Sequence, residues 1–179
     1  MTSTRTLRLD DDVEDALKRM SAEEGESVNV IAGRALRKLV EWDRVADKVG
    51  MLSLSREMVT RLMATQTLDQ ARSLGDWVGM DLLGPFAHFT HGAITQDTLL
   101  ETIELLSRYS RAFVFDKTVS GRSHTWVIRH SMGMKWSAYY QGAAEAVLRE
   151  VLGVEVKSRI TDELCVVEFQ LPPEKGGTA

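Results

Sequence analysis

Four histidines, one cysteine and a few basic and aromatic residues carry the chemistry open to this chain. The densest group is Arg129-His130-Ser131-Met132-Gly133-Met134-Lys135-Trp136. There an alternating stretch passes through a small, flexible turn into a helical one. Backbone amides at a helix N-terminus favour an anion, and His130 and Lys135 would add charge. Trp136, Tyr139 and Tyr140 would wall an apolar pocket. The stretch therefore predicts a site for a small anionic or aromatic effector. The plainer alternative is that these aromatics pack the helix onto a sheet while His130 caps the turn.

The other candidates are thinner. His88 and His91, with two residues between them in Pro85-Phe-Ala-His-Phe-Thr-His91, have a spacing that can clip a metal. His124, Trp126, Ile128 and His130 share one strand face. Neither group assembles enough ligands, so no metal and no cofactor is expected. Cys165 stands alone in an apolar strand pattern and reads as a buried, inert thiol. No phosphate loop, Gly-x-Ser-x-Gly or His-Glu-x-x-His occurs, and an enzyme is not expected.

A different chemistry lies at the start. In Thr4-Arg5-Thr6-Leu7-Arg8-Leu9 the residues alternate, with the leucines on one side and Thr4, Thr6 and Arg8 on the other. Asp10, Asp11 and Asp12 suit the positive end of a helix dipole. Val13, Ala16, Leu17 and Met20 then form a narrow apolar stripe, which Gly25 stops. Ser27 can cap a second helix, whose stripe runs through Val28, Ile31, Ala32, Ala35, Leu36, Leu39 and Val40. One strand cannot satisfy its own backbone, and two short helices cannot bury that much apolar surface alone. Two copies solve both problems, with the strands paired antiparallel about a two-fold axis.

Residues 4–46, through Thr-Leu-Arg-Leu, the striped helix, Glu-Glu-Gly and Ser-Val-Asn, resemble the ribbon-helix-helix regulators of the Arc and MetJ type. The resemblance implies a homodimer, or a higher oligomer, on double-stranded DNA, with the ribbon in the major groove. Carried over by residue, Thr4, Thr6 and Arg8 would meet base edges. Arg5 and the amides around Ser27, Val28 and Asn29 would hold phosphate. Charge argues for modest affinity: residues 1–48 hold nine Lys/Arg against eleven Asp/Glu. Phosphate neutralisation must then come from the placement of Arg5, Arg8 and Arg34, with strong salt dependence.

The elements that position the later residues follow from period and punctuation. Met51–Leu54 reads as a short strand. Ser55 caps a helix bearing Met58, Val59, Leu62 and Met63. Leu68 to about Leu83 reads as a second helix that Gly84-Pro85 ends, and Thr95 or Asp97 opens a third. Ala112–Val119 and Ser123–His130 form a hairpin about Ser120-Gly121-Arg122. A long helix runs from Met132 or Gly133 to Leu152, before a second hairpin, Val154–Arg159 and Leu164–Leu171. The fold class is α+β: an N-terminal ribbon-helix-helix module, 1–48, then an α+β domain, 51–171, with helices on an antiparallel sheet of four or five strands. Residues 172–179 read as a frayed tail.

The stretch from Tyr140 to Gly153 and its following hairpin is similar to the 4-vinyl-reductase-like domains, related in fold to the Bet3-like trafficking subunits and the haem nitric-oxide sensors. That family often pairs cysteines in the last hairpin. Here Cys165 is alone, with Val167 where a second would fall, so the resemblance implies a small-molecule or partner-binding domain without a metal.

Composition sets the remaining bounds. Hydrophobic residues make up 44% and charged residues 27%, a globular balance. Net charge is −4, against indiscriminate polyanion binding. No apolar run approaches a membrane span, the start lacks a secretory core, and a single cysteine excludes internal disulfides. The expectation is a cytoplasmic, repressor-type transcription regulator with a C-terminal sensor or assembly domain and no membrane partner. The alternatives are an antitoxin, or a ligand-binding protein or enzyme dimerised by its N-terminal module.

Overall fold

A computed structural model describes residues 5–172. Its contacts divide the chain into two compact units, Met1–Lys48 and Val49–Ala179. Thr4 and the predicted tail from residue 173 onward lie outside the described residues.

In the first unit, residues 5–10 take no regular structure. The predicted strand is not formed, because a strand needs a neighbour for its N–H and C=O groups and no other described segment of the chain pairs with it. Helix α1 spans Asp11–Glu24, with Asp11, Asp12 and Glu14 in its first turn, and stops where Gly25 turns left-handed at φ 69°. Helix α2, Val28–Lys38, starts at Ser27, whose Oγ accepts the Val30 N–H at 3.3 Å. It continues through a π-helical turn, Leu39–Asp43, into α3, Arg44–Lys48. Arg34 ties the α1–α2 connection, donating to Glu24 and Glu26 at 2.6 Å each. The unit has almost no core of its own: among its described apolar side chains only Ile31 and Ala46 are buried. Leu7, Leu36, Leu39 and Val40 remain 62%, 49%, 47% and 64% exposed.

The second unit is mixed α+β. Its helices are α4 (Arg56–Ala64), α5 (Leu68–Trp77), α6 (Gly84–His91), α7 (Gln96–Ser110) and α8 (Met134–Leu152). Its strands are β1 (Val114–Ser120), β2 (Ser123–Arg129), β3 (Val156–Thr161) and β4 (Leu164–Gln170). All strand pairs are antiparallel, in the order β1-β2-β4-β3. Each hairpin is local, and the β2–β4 pairing joins them, setting Trp126 opposite Val167 and Ile128 opposite Cys165. Among the described residues no helix is long and apolar enough to cross a membrane.

Caps explain several starts. Ser55 caps α4, and Thr67 and Thr95 close capping boxes with Gln70 and Thr98. Two expectations need correction. Met51–Leu54 forms no strand, and Leu52 is 83% exposed. Gly84-Pro85 does not end the helical run: a π-helical segment, Val78–Leu83, carries α5 directly into α6. Pro85 is the second residue of α6 and lies inside this continuous run, just after the π-helical segment.

Helix α8 is the centre of the unit. Ten of its residues are buried, including Ala138, Gly142, Ala143, Ala144 and Ala146. It packs on the sheet and against α5 and the π-helical segment. The approach to α5 is backbone against backbone: a Cβ on Gly142 would fall on the Arg72 carbonyl, and one on Gly75 on the Tyr139 carbonyl. The core itself joins Leu99 and Ile103 of α7 to Trp126, Ile128, Val147, Leu148, Cys165, Val167 and Phe169.

Candidate functional site

The turn before α8 is built around His130. Gly133, at φ 86°, makes the turn that only glycine adopts freely. The Met132 N–H donates to His130 Nδ1 at 3.2 Å, so Nε2 carries the ring proton and faces Ser137 Oγ at 2.9 Å. Ser137 in turn donates to the Thr161 carbonyl at 2.5 Å. The order of donors decides the role. His130 donates a hydrogen bond to the serine and cannot accept one from it, and Ser137 is fully buried. The pair is a polar brace, not a nucleophile with its base.

Burial lowers the His130 pKa from its ordinary 6.5, opposed by the Glu163 carboxylate. The unfolded chain therefore takes up this proton more readily than the folded one. The brace contributes fully above pH 6.5 and loses its contribution as the pH falls from there towards the folded-state value. We expect the unfolding midpoint to drop between about pH 7.5 and pH 5.5, and to drop less in His130→Asn. Thermal unfolding at the two pH values checks this; parallel shifts in both proteins would refute it.

The five residues expected to form a pocket part company. Lys135 is turned away, donating to the Ala64 carbonyl at the end of α4 at 2.6 Å. His130 is buried in its brace. Trp136, Tyr139 and Tyr140 do come together, with ring centroids 5.0, 5.8 and 5.2 Å apart, and they line a cavity of about 740 Å³. Burial pushes the Tyr139 hydroxyl pKa up to about 12 and raises that of Tyr140 further, so both stay neutral.

Most of the wall comes from residues that sequence reasoning did not connect with a site. The π-helical segment gives Val78, Leu82 and Leu83; α6 gives Phe86 and Phe89; α7 gives Ile103 and Leu106. Phe113, Trp126 and Ile128 close it from the sheet side, and Ala143, Ala144 and Val147 from α8. Asp81 is the one charged residue of the lining, and it is exposed. Among the described residues no cation lines the cavity, so the expectation of an anionic ligand loses its basis. A π-helical turn pushes side chains out of the usual helical register, and such turns recur at functional sites. Here it supplies one side of the cavity.

His124 stacks on Phe169 at 5.2 Å, and His91 Nδ1 faces Glu101 at 3.2 Å. Among the described residues no group of three metal-binding side chains occurs. Cys165 is fully buried, and burial raises its pKa to about 12, which leaves it a thiol. Glu145, nearly buried in an alanine-rich stripe, accepts from Arg72 at 2.5 Å and Ser158 at 2.5 Å. That network pairs a buried charge and fixes α8 to α5 and β3.

In the first unit Arg5, Thr6 and Arg8 are exposed, as are Ser27 and Asn29, while Val28 is half-buried. Ser27 is engaged as the α2 cap, and Arg34 is held by two carboxylates. No family model matches the chain, and no curated protein matches it.

Proposed function

We propose that this protein is a dimeric, sequence-specific DNA-binding regulator whose second unit binds an apolar effector. The observation that carries the reading is the bare apolar surface of the first unit. Leu7 and Leu9 project from an unpaired alternating segment, and Leu36, Leu39 and Val40 from a helix with no core beneath them. A second copy, paired ribbon-helix-helix fashion, covers both and sets Thr6 and Arg8 on the outer face of the ribbon. The effector reading rests on the cavity. Val49, Gly50 and Met51 lie on its wall and follow Lys48 directly in the chain. Occupancy therefore acts on residues joined to the last helix of the first unit. An antitoxin tail that folds only on its toxin fits less well, because residues 49–172 carry their own core.

A mobility-shift titration on the DNA upstream of the protein's own coding region tests the reading. Arg8 is the sharpest probe. A bidentate arginine–guanine contact is worth roughly 1–3 kcal/mol of discrimination. Arg8→Ala should weaken specific binding about ten-fold or more per half-site, with the dimer and its melting temperature unchanged. With Arg34 already occupied by Glu24 and Glu26, the phosphate contacts fall mainly to Arg5 and the α2 amides. Equal affinity of wild type and Arg8→Ala at fixed salt would reduce the segment to a dimerisation device.

A further inference from the structure

The charge of the effector follows from one residue, an inference that rests on the effector reading above. Asp81 is the one charged residue on the cavity wall. It follows Val78 by three residues and precedes Leu82 by one, and both are wall residues that share a helical face with Phe86 and Phe89. Asp81 therefore sits on the flank of that face. It is exposed and on the wall at once, which places it at the rim, where the cavity meets solvent. Among the described residues no hydrogen bond or ion pair engages its carboxylate.

The rest of the wall reinforces the sign. Much of it is aromatic, and ring faces attract a cation and repel an anion. Arg56 is near enough to act on the Tyr140 hydroxyl, but its guanidinium donates to Ser131 Oγ at 3.3 Å and the Arg111 carbonyl at 2.9 Å, and it is not part of the wall. Positive charge thus lies behind Tyr140 and negative charge at Asp81. A fully buried ammonium would lose its hydration at high cost, whereas one held at the rim keeps most of it.

We propose that the cavity takes an amphiphilic amine: an apolar, aromatic body inside, and a single cationic end at the rim beside Asp81. The apolar body supplies most of the affinity, and the carboxylate selects the sign of the end group. A cavity of about 740 Å³ has room for a drug-sized body.

Three probes of one skeleton separate the terms: 4-phenylbenzylamine, cationic at neutral pH; 4-phenylbenzyl alcohol, neutral; and biphenyl-4-carboxylate, anionic. Titration of the full chain, read by tryptophan fluorescence and calorimetry, should place the amine about five-fold tighter than the alcohol, the upper range for an exposed ion pair. The carboxylate should bind more weakly than the alcohol. Asp81→Asn should bring amine and alcohol within about two-fold of each other, and Asp81→Lys should put the carboxylate ahead of the amine. Asp69 is an exposed carboxylate outside the wall, and Asp69→Asn removes the same net charge. That variant should keep the wild-type ranking. Ratios are compared within each variant, so a change in stability common to all three probes cancels.

The proposal is overturned by an amine that binds no tighter than the alcohol, by a ranking that survives Asp81→Lys, or by a ranking that Asp69→Asn erases as well. Binding of all three probes without regard to charge would leave the apolar-effector reading standing and remove only the amine. No binding by any probe would remove both. The expected ranking with DNA affinity unchanged by the amine would defeat the regulatory reading and leave the ligand class in place.

Discussion

Gly142→Val should lower the unfolding midpoint of the second unit by about 10 °C or more, while Gly84→Ala leaves it within a few degrees. A Cβ at Gly142 would fall on the Arg72 carbonyl and lie 2.9 Å from the Asp76 amide nitrogen. Both obstacles are backbone, so no rotamer change relieves them. The reciprocal positions are as tight: Gly75 faces the Tyr139 carbonyl, and Gly79 the Ala143 carbonyl. Helix α8 cannot retreat, because its other face packs on the sheet. Overpacking costs typically 1–3 kcal/mol, and backbone obstruction puts valine at the upper end. The helix-propensity gain on removing a glycine offsets at most about 1 kcal/mol.

Gly84 supplies the contrast within the same unit. It is also buried and helical, yet a Cβ there meets only Ile94 Cδ1, at an ordinary 3.6 Å. Near-ultraviolet circular dichroism follows the transition, since Trp77, Trp126 and Trp136 all belong to the second unit. Coincident melting of Gly142→Val and wild type would mean that the helices do not touch. The same contact borders the cavity, because Tyr139 and Ala143 of α8 and Val78 of the π-helical segment are wall residues.

What the sequence made legible was local. Ser27, Ser55 and Thr95 cap helices as their types predict, Gly25 stops α1, and both hairpins fall close to their expected positions. Each of these depends on neighbours a few residues away. The failures depend on distant partners. Lys135 reads as a cation beside an anion site, but its partner is the carbonyl of a residue 71 positions earlier. Pro85 reads as a stop, but the helical run passes through it, with a π-helical segment just before it. The aromatic trio after Gly133 was legible as pocket wall. The rest of the wall, with Phe86, Phe89 and Phe113, was not, since nothing in their spacing says that α6 and the residue before β1 line one cavity with α8. Gly75, Gly79 and Gly142 carry a signal of close approach, since glycines inside helical patterns cost stability unless close packing requires them.

Leu36→Asp should abolish the dimer and, with it, DNA binding. In the single chain Leu36 is 49% exposed, and Leu39 and Val40 beside it are 47% and 64% exposed. Helices of this length are marginal in water without a packed face, so the first unit needs that surface covered. In the proposed dimer the two α2 helices share one core, and each Leu36 meets the partner's stripe. An aspartate there places an uncompensated carboxylate in that core, at a cost of about 3–5 kcal/mol per copy. Because the symmetry doubles the penalty, the dimer dissociation constant should rise by about four orders of magnitude or more. Sedimentation velocity at micromolar concentration should show wild type as a dimer or larger, and Leu36→Asp as a monomer with reduced helicity. The second unit is the internal control, since its core does not involve Leu36 and its near-ultraviolet signal should persist. Leu36→Met, which keeps the apolar volume, should keep the dimer within about ten-fold of wild type. A wild-type chain that sediments as a monomer with its N-terminal helices intact would leave the apolar stripe without a partner, and the DNA-binding reading would fall with it.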